Sequence, residues 1–272
     1  MPNDRPCPAE LDERSRAFYL RVVRVLTAAA VPFLVGGAYA LRHYTGVERN
    51  TKDFDIFIRR EDYDRVASVL SQTGCDTQLT YPHWLGKATC ANALVDIIFS
   101  SGNGVSVVDE DWFRYATPGH VFDAPVKLCP LEEMIWSKAF VTERERYDGA
   151  DVMHLLLACA ETLDWDRLLR RFGEHWRVLF SQLCLFGFVY PSERNRIPEW
   201  VMHALMERLE EEIHAPPPSR RICQGTLVSR EQYLSDLEQW GFEDARLTMA
   251  NAMTQEEIAD WTRAIAPKKP EK

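Results

Sequence analysis

Apolar residues recur at helical spacing between residues 12 and 30, at Phe18, Val22, Val25 and Leu26 with arginines between them, which predicts an amphipathic helix. The β-branched run 31–35 follows and stops at Gly36-Gly37, and residues 38–44 then suit a second helix that Gly46 would close. From Thr51 to Ile58 the period changes to two. Asp53, Asp55 and Phe57 fall on one face of a strand, and Phe54, Ile56 and Ile58 on the other. Helical spacing returns over residues 61–72 through Tyr63, Val66, Val69 and Leu70, with Gly74 as its stop. A less regular segment runs to Asn92. Residues 94–99 then read as a strand in which Asp96 shares a face with Leu94 and Ile98.

Beyond Pro130 the pattern is helical, over residues 131–143, 149–161, 165–172, about 175–188 and 199–214. Consecutive prolines cannot continue a helix, so Ala215-Pro216-Pro217-Pro218-Ser219 reads as a linker, and a basic, then helical tail over residues 220–266 follows. The expected fold class is α/β (α+β), a mixed sheet flanked by helices and followed by a helical C-terminal half. The expected organisation is an α/β domain with an N-terminal helix at 1–129, a helical domain at 130–214, and a linker with helical tail at 215–272.

Composition narrows the function classes. With 272 residues, 46% hydrophobic and 27% charged, the chain can bury a real core. No stretch approaches the roughly 18 apolar residues that span a bilayer, so no membrane partner is expected. Residues 1–10 are polar, with three prolines and no apolar segment, so a cytoplasmic location is expected. The seven cysteines are scattered singly and the histidines include no H-x-x-x-H pair, which argues for reduced thiols and against zinc. A net charge of -9 disfavours extended binding along DNA, which needs lysines and arginines to neutralise phosphates.

Alternate residues of a strand project side by side, so Asp53 and Asp55 lie near enough to bridge divalent cations, and Asp96 from a later strand could complete the cluster. Oxygen ligands of this kind select magnesium or manganese. Such ions can clamp the attacking and leaving oxygens of a phosphoryl displacement. Asp-x-Asp also occurs on solvated strands, but aspartate suits strand interiors poorly and its neighbours here are apolar. Gly36-Gly37, at a strand end and a helix start, offers free backbone N–H groups to an anion such as a triphosphate. Asp-x-Asp also serves some sugar transferases, although those place the pair after several strands without a preceding Gly-Gly.

The run Phe33-Leu34-Val35-Gly36-Gly37, the strand Thr51-Lys52-Asp53-Phe54-Asp55-Ile56-Phe57-Ile58 and the later Val95-Asp96-Ile97 resemble the motifs of the DNA-polymerase-β-type nucleotidyltransferase superfamily. Thr-Lys before the aspartate pair is most similar to the group holding the AbiEii toxin-like and minimal or antibiotic-modifying nucleotidyltransferases. The resemblance covers about residues 30–160. It implies transfer of a nucleoside monophosphate from a nucleoside triphosphate to an acceptor hydroxyl, with release of pyrophosphate. Gly36 and Gly37 would hold the triphosphate with Thr51, Lys52 and Lys138 among the nucleotide-binding residues. Asp53, Asp55 and Asp96 would hold magnesium or manganese, and Asp96 would activate the acceptor. That acceptor is a small molecule, an RNA 3' end or a protein. The alternative is a nucleotide-binding or toxin-like interaction protein without turnover, because a fold does not by itself establish an activity.

The segment from Leu131 to Lys138, followed by Arg144, Arg146, Asp148 and Asp151, resembles the Lys, Arg and Asp pattern after the catalytic strands of AbiEii-like proteins. Lys138 lies seven residues after Leu131 and three after Ile135, on their inward stripe, where it would reach a phosphate or snorkel along the core. Arg146, Asp148 and Asp151 are supporting candidates. Asp148-Gly149-Ala150-Asp151 also has the spacing of an acidic helix cap, and Arg144 and Arg146 could instead pair with Glu143 and Glu145. Tyr81-Pro82-His83-Trp84 and Asp111-Trp112-Phe113 could stack a base or simply pack.

Overall fold

The computed structural model describes residues 13–49, 51, 53–90 and 93–263, which fall into two compact units. Lys52, a predicted nucleotide-binding residue, lies outside the described residues. One unit draws on Met1–Ser100 and Val107–Pro130, the other on Ser101–Ser106 and Leu131–Lys272.

The first unit is built in the order α1 (Glu13–Ala28), β1 (Leu34–Val35), α2 (Gly37–Thr45), β2 (Asp53–Phe57), α3 (Tyr63–Ser71), β3 (Asp76–Tyr81), β4 (Leu85–Cys90), β5 (Ala93–Ile98), α4 (Glu110–Arg114), β6 (Thr117–Val121) and β7 (Ala124–Leu128). Its seven strands form one mixed sheet in the order β3-β4-β5-β2-β1-β7-β6, with β2 parallel to β5, β1 parallel to β7 and the remaining pairs antiparallel. Phe54, Ile56 and Ile58 on one strand and Val95, Ile97 and Phe99 on its neighbour are buried, which sends the alternate residues of both strands to the opposite face. Phe18, Val22 and Leu26 of the expected stripe of α1 are buried, and the stripe widens towards Tyr19 and Val23 while Val25 is half-exposed; the Tyr19 ring stacks on Phe54 of β2 at 5.0 Å. Pairing of β1 begins only at Leu34, after Pro32, which has no N–H to donate.

The less regular segment before Asn92 is a hairpin. β3 is an edge strand with no fully buried residue, so it lacks the apolar alternation that marks a strand in sequence. The β6–β7 hairpin turns on Phe122 and Asp123, both at positive φ, a conformation usually signalled by glycine or asparagine.

The second unit holds α5 (Leu131–Ala139), α6 (Gly149–Cys159), α7 (Trp165–Phe172), α8 (Trp176–Val189) and α9 (Glu199–His214). Helix α5 stops four residues short of the expected end at 143, and the chain there forms a bridge between Thr142 and Tyr147. Beyond the prolines the expected helical tail is only partly helical. It contains β8 (Ile222–Cys223), α10 (Leu234–Glu238), β9 (Glu243–Asp244) and α11 (Gln255–Arg263), with β8 and β9 paired in parallel. Asp244 organises this piece, accepting from Nε and Nη2 of the fully buried Arg246 and from the Thr226 hydroxyl. No helix of the described residues is long and apolar enough to cross a membrane.

Candidate functional site

Strands β2 and β5 run parallel and in register, with Asp55 opposite Asp96 and Asp53 opposite Leu94. Strand alternation puts all three aspartates on the half-exposed face. One carboxylate oxygen from each lies within 4.8 Å of the other two. Three negative charges at that separation repel strongly, and a set of oxygen donors with no nitrogen or sulfur suits a hard divalent cation.

The glycine turn belongs to the same place. The Gly36 N–H donates to the Asp55 carbonyl at 3.0 Å, tying the start of α2 to β2. Gly37 sits at φ +54°, and a Cβ there would lie 1.7 Å from Asp55 Oδ2. A side chain at this position would therefore displace the carboxylate. The Thr51 hydroxyl donates to Asp53, reaching Oδ1 at 2.5 Å and the backbone carbonyl at 3.0 Å, which fixes the direction of that side chain. Tyr39 on α2 stands close enough to feel the cluster. Burial, then the neighbouring Tyr19, Asp55 and Asp53, push its phenol well above the ordinary tyrosine range, so it stays protonated at neutral pH.

Lys87 is the residue that the sequence pattern did not single out. It is the register partner of Asp96 across β4 and β5, and its Nζ donates to Asp96 Oδ1 at 3.0 Å. The sequence carried little signal for it, because the buried positions of β4, Leu85, Gly86 and Ala88, do not alternate. Gly86 beside it leaves room for the Tyr63 ring, whose Cε2 would lie 2.1 Å from an added Cβ.

Lys138, Arg146, Asp148 and Asp151 come together in the second unit. Lys138 Nζ donates to Asp148 Oδ2 at 3.1 Å and to Asp151 Oδ2 at 2.7 Å, while Arg146 Nε and Nη2 grip the two oxygens of Asp148 at 3.0 and 2.9 Å. Asp148 does occupy the N-cap position of α6, but its side chain makes no capping bond, because the two cations hold it. Burial raises its pKa, and Arg146 and Lys138 outweigh that, so the carboxyl titrates below its usual range. Glu143, a candidate partner for the arginines, pairs instead with Arg230 at 3.3 Å.

The aromatic candidates pack. Tyr81 and Trp84 stack on each other at 5.8 Å across the β3–β4 turn, and the buried Trp112 stacks on Phe57 at 5.3 Å.

No protein-family model and no curated protein matches the chain. Among solved structures it is similar to the antibiotic-resistance factor ANT(2'')-Ia, at 16% identity and TM-score 0.46 over 62% of this chain and 96% of that one. It is also similar to the lincosamide antibiotic adenylyltransferase LnuA, solved with lincomycin bound, at 17% identity and TM-score 0.38 over 53% and 96% of the two chains. A third is JHP933 from Helicobacter pylori, at 15% identity and TM-score 0.36 over 75% and 97%.

Proposed function

We propose that this chain is a nucleotidyltransferase, moving a nucleoside monophosphate from a nucleoside triphosphate to an acceptor hydroxyl and releasing pyrophosphate. The observation that carries the reading is the convergence of Asp53, Asp55 and Asp96 within 4.8 Å, on a sheet face where Gly37 leaves room for the Asp55 carboxylate. The donor set fits magnesium or manganese, since every ligand atom is a carboxylate oxygen. These three side chains would hold the ions, which supply charge neutralisation for the phosphoryl group when bound. The Gly36 N–H is taken by the Asp55 carbonyl, so it is Gly37 at the start of α2 that presents a backbone N–H to the triphosphate, and Thr51 keeps Asp53 aimed at the site. Lys87 holds Asp96, the third carboxylate, which takes the proton of the acceptor hydroxyl. Lys138, with Asp148 and Asp151 as its partners, belongs to the second unit, where it orders the start of α6. A net charge of -9 favours a small molecule or a protein over an extended nucleic acid as the acceptor.

The test is incubation with each α-labelled nucleoside triphosphate, magnesium or manganese and mixed cellular acceptors, beside Asp53→Asn/Asp55→Asn. Transfer of label by the native chain and its loss in the variant is the expected result. Equal labelling by both would overturn the metal-site assignment. Failure of the native chain to bind triphosphate in a magnesium-dependent way would overturn the reading as a whole.

A further inference from the structure

The β3–β4 hairpin carries a second group of reactive side chains that the carboxylate site does not use. Asp76 faces Thr89 across the two antiparallel strands, and the same register carried one step outward puts Cys75 opposite Cys90. Both are free thiols, Cys75 buried and Cys90 half-buried. Opposed residues of an antiparallel pair have Cα atoms about 4.5–5.5 Å apart. That lies within the roughly 4.4–6.8 Å that a disulfide spans. The two thiols also interact directly. Burial raises the Cys75 thiol, the Thr73 hydroxyl 3.5 Å away lowers it, and the adjoining Cys90 thiol raises it again. On the solvent side, Arg21 Nη2 of α1 donates to Cys90 Sγ at 3.0 Å.

We propose that Cys75 and Cys90 form a thiol-oxidation site, closed into an intramolecular disulfide by a low-molecular-weight disulfide of the glutathione type. The roles follow from exposure. Cys90 is the reachable sulfur, so as its thiolate it attacks one sulfur of the small disulfide and expels the first thiolate. Cys75, buried behind it, then loses its proton to that leaving thiolate and attacks Cys90 Sγ. The mixed disulfide breaks and a second thiol equivalent leaves. One small disulfide is reduced to two thiols while two protein thiols are oxidised to one disulfide, so no other redox partner is needed. The remaining described cysteines offer contrast. Cys129 and Cys159 are buried, Cys223 is half-buried in β8, and Cys184 is exposed on α8, where it can be capped.

The experiment is incubation of the native full chain with oxidised glutathione, alkylation of remaining thiols, and mass spectrometry of the unreduced peptides. The expected product is a Cys75–Cys90 cross-linked peptide, with glutathione at Cys184 as a separate adduct. Cys75→Ser is expected to trap glutathione on Cys90, whereas Cys90→Ser leaves Cys75 unmodified. The cross-link should raise the melting temperature, and dithiothreitol should reverse the rise, because the bond ties two neighbouring strands. Recovery of Cys75 and Cys90 as separately alkylated thiols while Cys184 is fully glutathionylated would overturn the proposal. So would a cross-link that forms only after the chain is unfolded in guanidinium. Both readouts are made on the wild-type chain, so they hold even where a serine variant folds poorly.

Discussion

On the sheet of the first unit, Asp53, Asp55 and Asp96 gather three carboxylate oxygens within 4.8 Å, with Lys87 bonded to one of them. In the second unit acids are matched by bases. Asp148 meets Lys138 and Arg146, Glu132 meets Arg167, Glu133 meets Arg171, and Asp244 meets Arg246. The matched clusters are also the more deeply buried, with Glu133 and Arg246 at 0% exposure, whereas the three aspartates are half-exposed. Burial explains the difference. A charge taken out of water is tolerated only beside an opposite one, so buried acids find bases within the chain. The three acids on the half-exposed face of the sheet form a set of oxygen donors of the kind that suits a divalent cation.

Breaking one cluster of each kind gives the largest contrast. Asp53→Asn is expected to lower label transfer by at least about 10³-fold while changing stability by less than about 1 kcal/mol, because it relieves repulsion between like charges. Glu133→Gln should do the reverse in stability, costing about 3 kcal/mol, since Arg171 at 2.9 Å would be left buried against a neutral partner. Activity assays beside urea denaturation read both. An asparagine variant that unfolds the protein, with transfer intact in its folded fraction, would erase the distinction between the two kinds of cluster.

Gly37→Ala sharpens the comparison by moving a carboxylate without changing any charge. The positive φ costs about 1 kcal/mol for a residue with a Cβ. The new atom also occupies the place of Asp55 Oδ2, at the flexible end of a side chain that can swing away. Stability should therefore fall slightly and transfer by about 10²-fold. Lys87→Met is milder. It leaves the three aspartates in place and removes the ammonium that donates to Asp96 Oδ1, so kcat should fall about 10-fold with little change in the triphosphate KM, and Lys87→Arg should recover much of the loss. An equal fall in the arginine variant would count against a positioning role for Lys87.

How much of this could be read from the chain depends on what each residue faces. The shared face of Asp53 and Asp55 was legible because a strand buried on one side writes its phase in Phe54, Ile56 and Ile58. Gly37 was legible as a turn residue, but its closeness to Asp55 depends on how β1 and β2 pair, a long-range fact that no local pattern records. Lys87 was hidden because its hairpin ends in an edge strand with no fully buried residue. The tail was misread for a different reason. Strands β8 and β9 are two residues each and meet across an intervening helix, too short for any period to show.

Asp148 is where local pattern and structure disagree most usefully. The stretch Asp148 to Asp151 has the spacing of a cap, and the residue stands at the N-cap position, yet its carboxylate turns to Lys138 and Arg146. Its folded-state pKa is depressed, so the unfolded chain binds the proton more readily. The stabilisation is therefore present above the unfolded-state value, about 3.9, and is lost as the pH falls through the folded-state value. Arg146 is largely exposed, which screens its share, so the whole effect should be near 1 kcal/mol. Asp148→Asn should lower stability by that amount at neutral pH and flatten the decline below about pH 4. Urea midpoints measured from pH 3 to pH 7 would show the two curves converging at the acid end. Curves that stay parallel would mean that Asp148 acts as a cap through its backbone position, and that the matched charges contribute nothing measurable to the fold.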